Sequence, residues 1–157
     1  MGKLDIEEVE KKILAIVQAK FAAKVAEINA DKGDTLLVDI PTKNYLNNFY
    51  EEELTSDLFI WYGIDQPEST SIRGDTATTW TIFYKVFVQD RGNLSTIRSK
   101  ILRYTRAFME IFQENNAKIR RFTTIPEITA LTPEDVQDIM NDTPYKMGGV
   151  EIKIIIA

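Results

Sequence analysis

The 157-residue chain is expected to fold as one α+β domain. The expected form is a mainly antiparallel sheet with two long amphipathic helices packed on one face, plus a short helix near residues 132–141. Three observations lead there. Two long stretches repeat apolar residues every three or four positions, the period of a helix face. The stretches between and after them alternate with period two, the mark of strands. No repeat, low-complexity linker or shift in composition divides the chain, and a single domain this long buries about two thirds of its unfolded surface.

Residues 5–29 read as the first helix. Ile6, Val9, Ile13, Val17, Phe21, Val25 and Ile28 form its apolar stripe. Asp5 and Glu8 have capping-box spacing. Glu7, Glu8 and Glu10 lie at the positive end of the helix dipole, and Lys20 and Lys24 lie nearer its negative end. Asp31-Lys32-Gly33-Asp34 reads as a stop and turn. Residues 35–40 read as a short apolar strand ended by Pro41. Residues 41–56 mix Asn44, Asn47 and Asn48 with Tyr45, Phe49 and Tyr50, then three glutamates, and read as an irregular surface segment.

Residues 58–62 form a second strand, apolar on both faces and so central or at an interface. Residues 65–75, rich in Ser, Thr, Gly and Pro, read as a long flexible loop. The clearest strand is 76–89, with Trp80, Ile82, Tyr84, Val86 and Val88 on one face. Thr79, Thr81, Lys85 and Gln89 share the other with Phe83 and Phe87. A strand longer than the usual five or six residues can project past the body of a domain and pair with another chain.

Asn93 caps a second helix that reaches about residue 115 through Leu94, Ile97, Ile101, Tyr104, Phe108 and Ile111. Residues 117–125 read as a strand closed by Pro126. Thr132-Pro133-Glu134-Asp135 reads as the start of the short helix, with proline at its first position. Residues 142–145 read as a turn, and Gly148-Gly149 permits another. The last strand is 150–156. So apolar a strand would aggregate at an open edge, so it is expected to be internal or covered by another subunit.

Composition excludes much chemistry. The chain has no cysteine and no histidine. Thiol nucleophiles, disulfides, thiolate zinc sites and imidazole bases are therefore absent. Nineteen basic against twenty-four acidic residues give a net charge of −5, a poor basis for wrapping nucleic acid through counterion release. No secretory signal and no run long enough to span a bilayer is read, so a soluble intracellular protein is expected.

The remaining motifs have plain readings. Asp31, Asp34 and Asp39, like Asp135, Asp138 and Asp142, fit no calcium loop and read as solvated carboxylates. Arg73-Gly74-Asp75 spells an adhesion tripeptide but reads as a turn. Lys118, Arg120 and Arg121, with Arg98, Lys100, Arg103 and Arg106, lack interleaved aromatics for base stacking. They read as a solvated face or as salt-bridge partners of an acidic neighbour. Phe83 and Phe87 are expected to bury against a helix or against a partner.

The opening helix ending in Val25-Ala26-Glu27-Ile28-Asn29, with a short strand and Pro41 after it, resembles phage tail-completion and tail-terminator proteins. So do the long strand over 80–89, the tight turn, the helix over 97–112 and the final strand after a Gly-rich turn. The resemblance covers most of the chain, in architecture rather than in any diagnostic motif. It implies a virion protein with a structural role, without catalytic residues, cofactor or metal, assembled in the host cytoplasm. Such proteins form a homohexameric ring that caps the head-proximal end of the tail tube and stops its growth. The partners implied are further copies of itself, the tail tube protein, a neck, connector or head-closure protein, and the sheath where a tail contracts. DNA would pass through the lumen without specific binding, and no membrane is involved.

Under this reading Tyr50, Arg73, Asp75, Phe83, Phe87, Arg120 and Arg121 are the interface candidates. Glu51, Glu52, Glu53, Asp65 and Glu68 are the lumen-facing acids, which would repel DNA phosphates. Two other readings stay open: a head-closure or connector adaptor of the neck, and a small cytoplasmic enzyme using carboxylates. A pocket of convergent buried acids with shifted pKa values would favour the enzyme.

Overall fold

The computed structural model describes residues 5–48, 57–72, 75–89, 93–119, 127–138 and 143–156. The first helix, α1, spans Ile6–Lys32. Asp5 caps it, its carboxylate accepting from the Glu8 N–H at 2.9 Å. Gly33 ends it in the left-handed conformation (φ 69°), with Gly33 N–H on Ala30 O and Asp34 N–H on Asn29 O. That is the paired-bond stop that only glycine makes without strain. The expected stripe is buried from Val9 to Ile28 and half-buried at Ile6, while Ala15, Ala19, Ala22, Ala23, Ala26 and Ala30 are exposed on the opposite side. The second helix, α2, spans Leu94–Glu114, and Asn93 caps it by accepting from Ser95 N–H.

The segment 35–40 has no ladder partner, contrary to the strand expected there. Side chains hold its backbone instead. Asn29 donates to Leu37 O (2.8 Å) and accepts from Leu37 N–H (3.0 Å). The Tyr104 hydroxyl donates to Val38 O (2.8 Å) and accepts from Val38 N–H (3.1 Å). Each side chain meets a donor and an acceptor as a neighbouring strand would, so the backbone is satisfied without a sheet. A 3₁₀ turn over Thr42–Asn44 then leads into the three-residue strand β1, Tyr45–Asn47.

The sheet has six strands. The others are β2 (Leu58–Ile64), β3 (Glu68–Ile72), β4 (Asp75–Gln89), β5 (Glu127–Asp138) and β6 (Thr143–Ile156). Their order is β1-β2-β4-β6-β5, with β3 on β4 as well. Among the described residues, only the β1–β2 pairing is parallel. β2 and β3 lie in series along one edge of β4, and Asp65 N–H continues the ladder between them by donating to Thr81 O. The loop expected over 65–75 is thus largely a strand, because Ser and Thr suit an exposed ladder as well as a loop. β6 lies between β4 and β5, so the apolar C-terminal strand is internal.

Two further expectations change. The short helix is α3, Asn116–Ile119, directly after α2, where a strand over 117–125 was expected. Residues 120–126 lie outside the described residues. The expected helix over 132–141 is instead the second half of β5, up to Asp138. Thr132-Pro133 sits at a register shift between Leu131 and Glu134, where two residues of β5 oppose one of β6. A proline needs no ladder donor in such a bulge on an outermost strand. β6 likewise begins at Thr143, ahead of the expected 150, and carries Gly148 and Gly149 within it. A Cβ on Gly148 would strike Ile101 of α2, and one on Gly149 (φ 153°) would strike the backbone of Tyr84. These glycines let a helix and a strand approach β6 closely, rather than turning the chain.

Both long helices cover one face. Ile60 of β2, Ile82, Tyr84, Val86 and Val88 of β4, and Val150, Ile152 and Ile154 of β6 join their stripes in one core. The helices run in opposite senses: Lys24 pairs with Glu114, Asp31 with Arg106 and Asp34 with Arg103. Phe21 stacks on Tyr104 (6.1 Å between centroids) between them. Among the described residues, no helix is long and apolar enough to cross a membrane.

Candidate functional site

Three places carry chemistry or contact potential: the seam between α1 and α2, a polar niche under α1, and the outer face of the sheet with its two edges.

At the seam, Lys24 is only 3% exposed, and its ammonium reaches Glu114 (2.6 Å) and Glu27 (2.9 Å). Burial pulls the Lys24 pKa down, but the two carboxylates outweigh it and the net shift is upward. Arg103 and Arg106 hold Asp34 and Asp31 below the ordinary carboxylate range. These arginines of the basic group pair with acids at the end of α1 and just after it.

The niche lies where the first turns of α1 cross β1, β2 and β4. Burial raises the Glu10 carboxyl pKa, against a hydrogen bond from the Asn47 side chain that lowers it. One Glu10 oxygen and the Tyr84 hydroxyl are both buried without a hydrogen-bond partner among the described residues. Tyr62 stacks on Tyr84 (5.7 Å), and burial pushes the Tyr84 and Tyr45 hydroxyls well above their ordinary value. Sequence reading placed Glu10 merely at the helix's positive end. Its signal was its place beside Val9 and Ile13 of the buried stripe.

The outer face of the sheet holds the aromatic side chains that point away from the helices. Phe59 stacks on Phe87 at 4.8 Å and meets Tyr145 edge-on at 5.5 Å, and Met147 completes the cluster with Leu46 and Trp61 at its margin. Phe83 lies under the Lys85 ammonium, 4.8 Å from the ring centre. Phe83 and Phe87 are both buried within the chain, on the face opposite the helices.

The other candidates are scattered. Asp65 and Glu68 are exposed, beside and at the start of β3, and Asp75 opens β4. Tyr50, Glu51, Glu52, Glu53, Arg73, Arg120 and Arg121 lie outside the described residues. No group of three or more acidic residues among the described residues is placed to hold a metal. A scan of protein-family models gave no match, and neither did a search of curated proteins.

Proposed function

We propose that this chain is a structural tail-terminator or tail-completion subunit: a ring that caps the head-proximal end of a phage tail tube and joins it to the neck. The observation that carries the reading is the build. An opening helix, a long central strand, a capped second helix and an internal final strand form one sheet with both helices on one face. Those elements are shared with the resemblance, whereas its short strand before Pro41 and its Gly-rich turn before the final strand are not formed. Among the described residues β3 and β5 each pair with one strand only, which suits a subunit that meets neighbours through its sheet.

The Glu10 niche is the best foothold for the carboxylate-enzyme reading. It offers a single carboxyl, not a pair, with tyrosines that burial makes poorer acids. Catalysis by paired carboxylates needs a second acid beside it. The structural reading is the better supported.

Negative-stain electron microscopy of the protein mixed with its virion's tail-tube protein tests the proposal. The expected result is tubes of arrested length with a ring at one end. Rings that seat on the portal and ignore the tube would assign the protein to the neck as an adaptor. Particles that bind neither would overturn both.

A further inference from the structure

Among the described residues β3 and β5 each have a strand on one side only, and they sit on opposite sides of the same sheet. We propose that these two edges are the halves of one contact between copies: residues 68–72 of one copy add antiparallel to residues 127–131 of the next, so that the sheet continues from subunit to subunit. The proposal rests on the ring reading, since a closed ring is built by a head-to-tail contact between unlike surfaces whose rotation closes.

Four features select a second copy as the occupant. The first is strand sense. β3, β4, β6 and β5 alternate in direction, and β3 of a like-oriented neighbour keeps the alternation when placed beside β5. The second is length. β3 has five paired residues, and β5 has five before its bulge interrupts the ladder after Leu131. The third is phase. Ser69 lies opposite Thr78 on the helix side of the sheet, and Ala130 lies opposite Val150 on that same side. Setting Ser69 against Ala130 therefore joins like faces, whereas a one-residue slip would cross them.

The fourth is charge. β5 carries Glu127, Glu134, Asp135 and Asp138 with no basic residue, so pairing β5 with β5 would set acids against acids. β3 has a single charge, Glu68, and its other residues are Ser, Thr and Ile. The geometry also favours closure. Ser69 is level with Thr78, and Ala130 is level with Tyr84 through Val150, an offset of six residues along β4. Across four strands that stagger tilts them about 45° to a closing axis, near the tilt at which sheets close into barrels.

The test uses the absence of native cysteine. Within one copy β3 and β5 are separated by two strands, about 14 Å at the least, which is too far for a disulfide. Three variants are made: Ser69→Cys, Ala130→Cys and the double variant, both sites being exposed. Each is oxidised mildly over a range of protein concentrations. The expected result is no cross-link in either single variant, dimers from their equimolar mixture, and a ladder ending at one ring size from the double variant.

Homodimers of either single variant, or no cross-link in the mixture, would overturn the contact. Hydrogen exchange on the unaltered protein is the second readout, with amide protection over 68–72 and 127–131 expected in the assembled fraction. Equal exchange there in monomer and assembly would also overturn it. Rings seen by microscopy without cross-links would overturn the edge contact and leave the ring. Ladders from a protein that leaves tubes uncapped would keep the contact and overturn the tail assignment.

Discussion

The two faces of the sheet are built differently. The helix face is sealed by α1 and α2 over a continuous core of aliphatics and rings that includes Phe21, Tyr84, Tyr104, Phe108 and Phe112. The outer face carries a small cluster, Phe59, Phe87, Tyr145 and Met147, with Trp61 half-buried beside it. The inner cluster is the larger of the two, so it should carry the larger share of the stability. This division follows from the physics of area. Burial stabilises by about 25 cal/mol per Å² of apolar surface, and the inner cluster joins many more side chains than the outer one.

The largest expected effect comes from removing residues 150–157. Their strand pairs with both β4 and β5, so the loss should abolish cooperative unfolding by circular dichroism. A folded, assembly-competent truncation would break the account of the sheet. Next, Phe108→Ala should cost about 4–5 kcal/mol in urea unfolding, because its cavity is enclosed by Phe21 and Tyr84. Phe59→Ala should cost about 3 kcal/mol, because fewer side chains pack around it in the smaller outer cluster. Equal costs would erase the difference between the faces.

Smaller effects sharpen the helix seam. Glu114→Gln should cost about 0.5 kcal/mol, since Glu114 is exposed and Lys24 keeps Glu27. Glu10 and Asp34 should show opposite signs with pH. The Glu10 pKa is raised above its ordinary 4.5 in the folded chain, so its contribution is present below that value and lost as pH rises through the raised one. Glu10→Gln should raise Tm at pH 7 by about 1–3 °C and change nothing at acidic pH below the ordinary value. Asp34 is held below its ordinary 3.8. Its contribution is present above that value and fades as pH falls through the lowered one, so Asp34→Asn should lower Tm at pH 7. Matching signs for the two variants would contradict the placement of both groups.

Periodicity made the architecture legible. The stripe from Val9 to Ile28, the alternation from Ile82 to Val88 and the Asn93 cap all lie where the sequence puts them. Misreadings arose where distant groups decide the outcome. Residues 35–40 have strand composition, yet Asn29 and Tyr104 supply the bonds that a ladder would. Thr132-Pro133 carries a helix-start signature, but the adjoining register of β6 turns it into a bulge. Gly148 and Gly149 resemble a turn, yet they serve close approach by Ile101 and the Tyr84 backbone. The contact surfaces were less legible still. An edge is a property of strand order, and no local pattern says which strand comes last.

Native mass spectrometry of the purified protein across a concentration series tests the central claim most directly. The account predicts monomer when dilute, giving way to one closed oligomer of fixed copy number as concentration rises. An open series of stoichiometries, or monomer at every concentration and in the presence of the tail-tube protein, would contradict it.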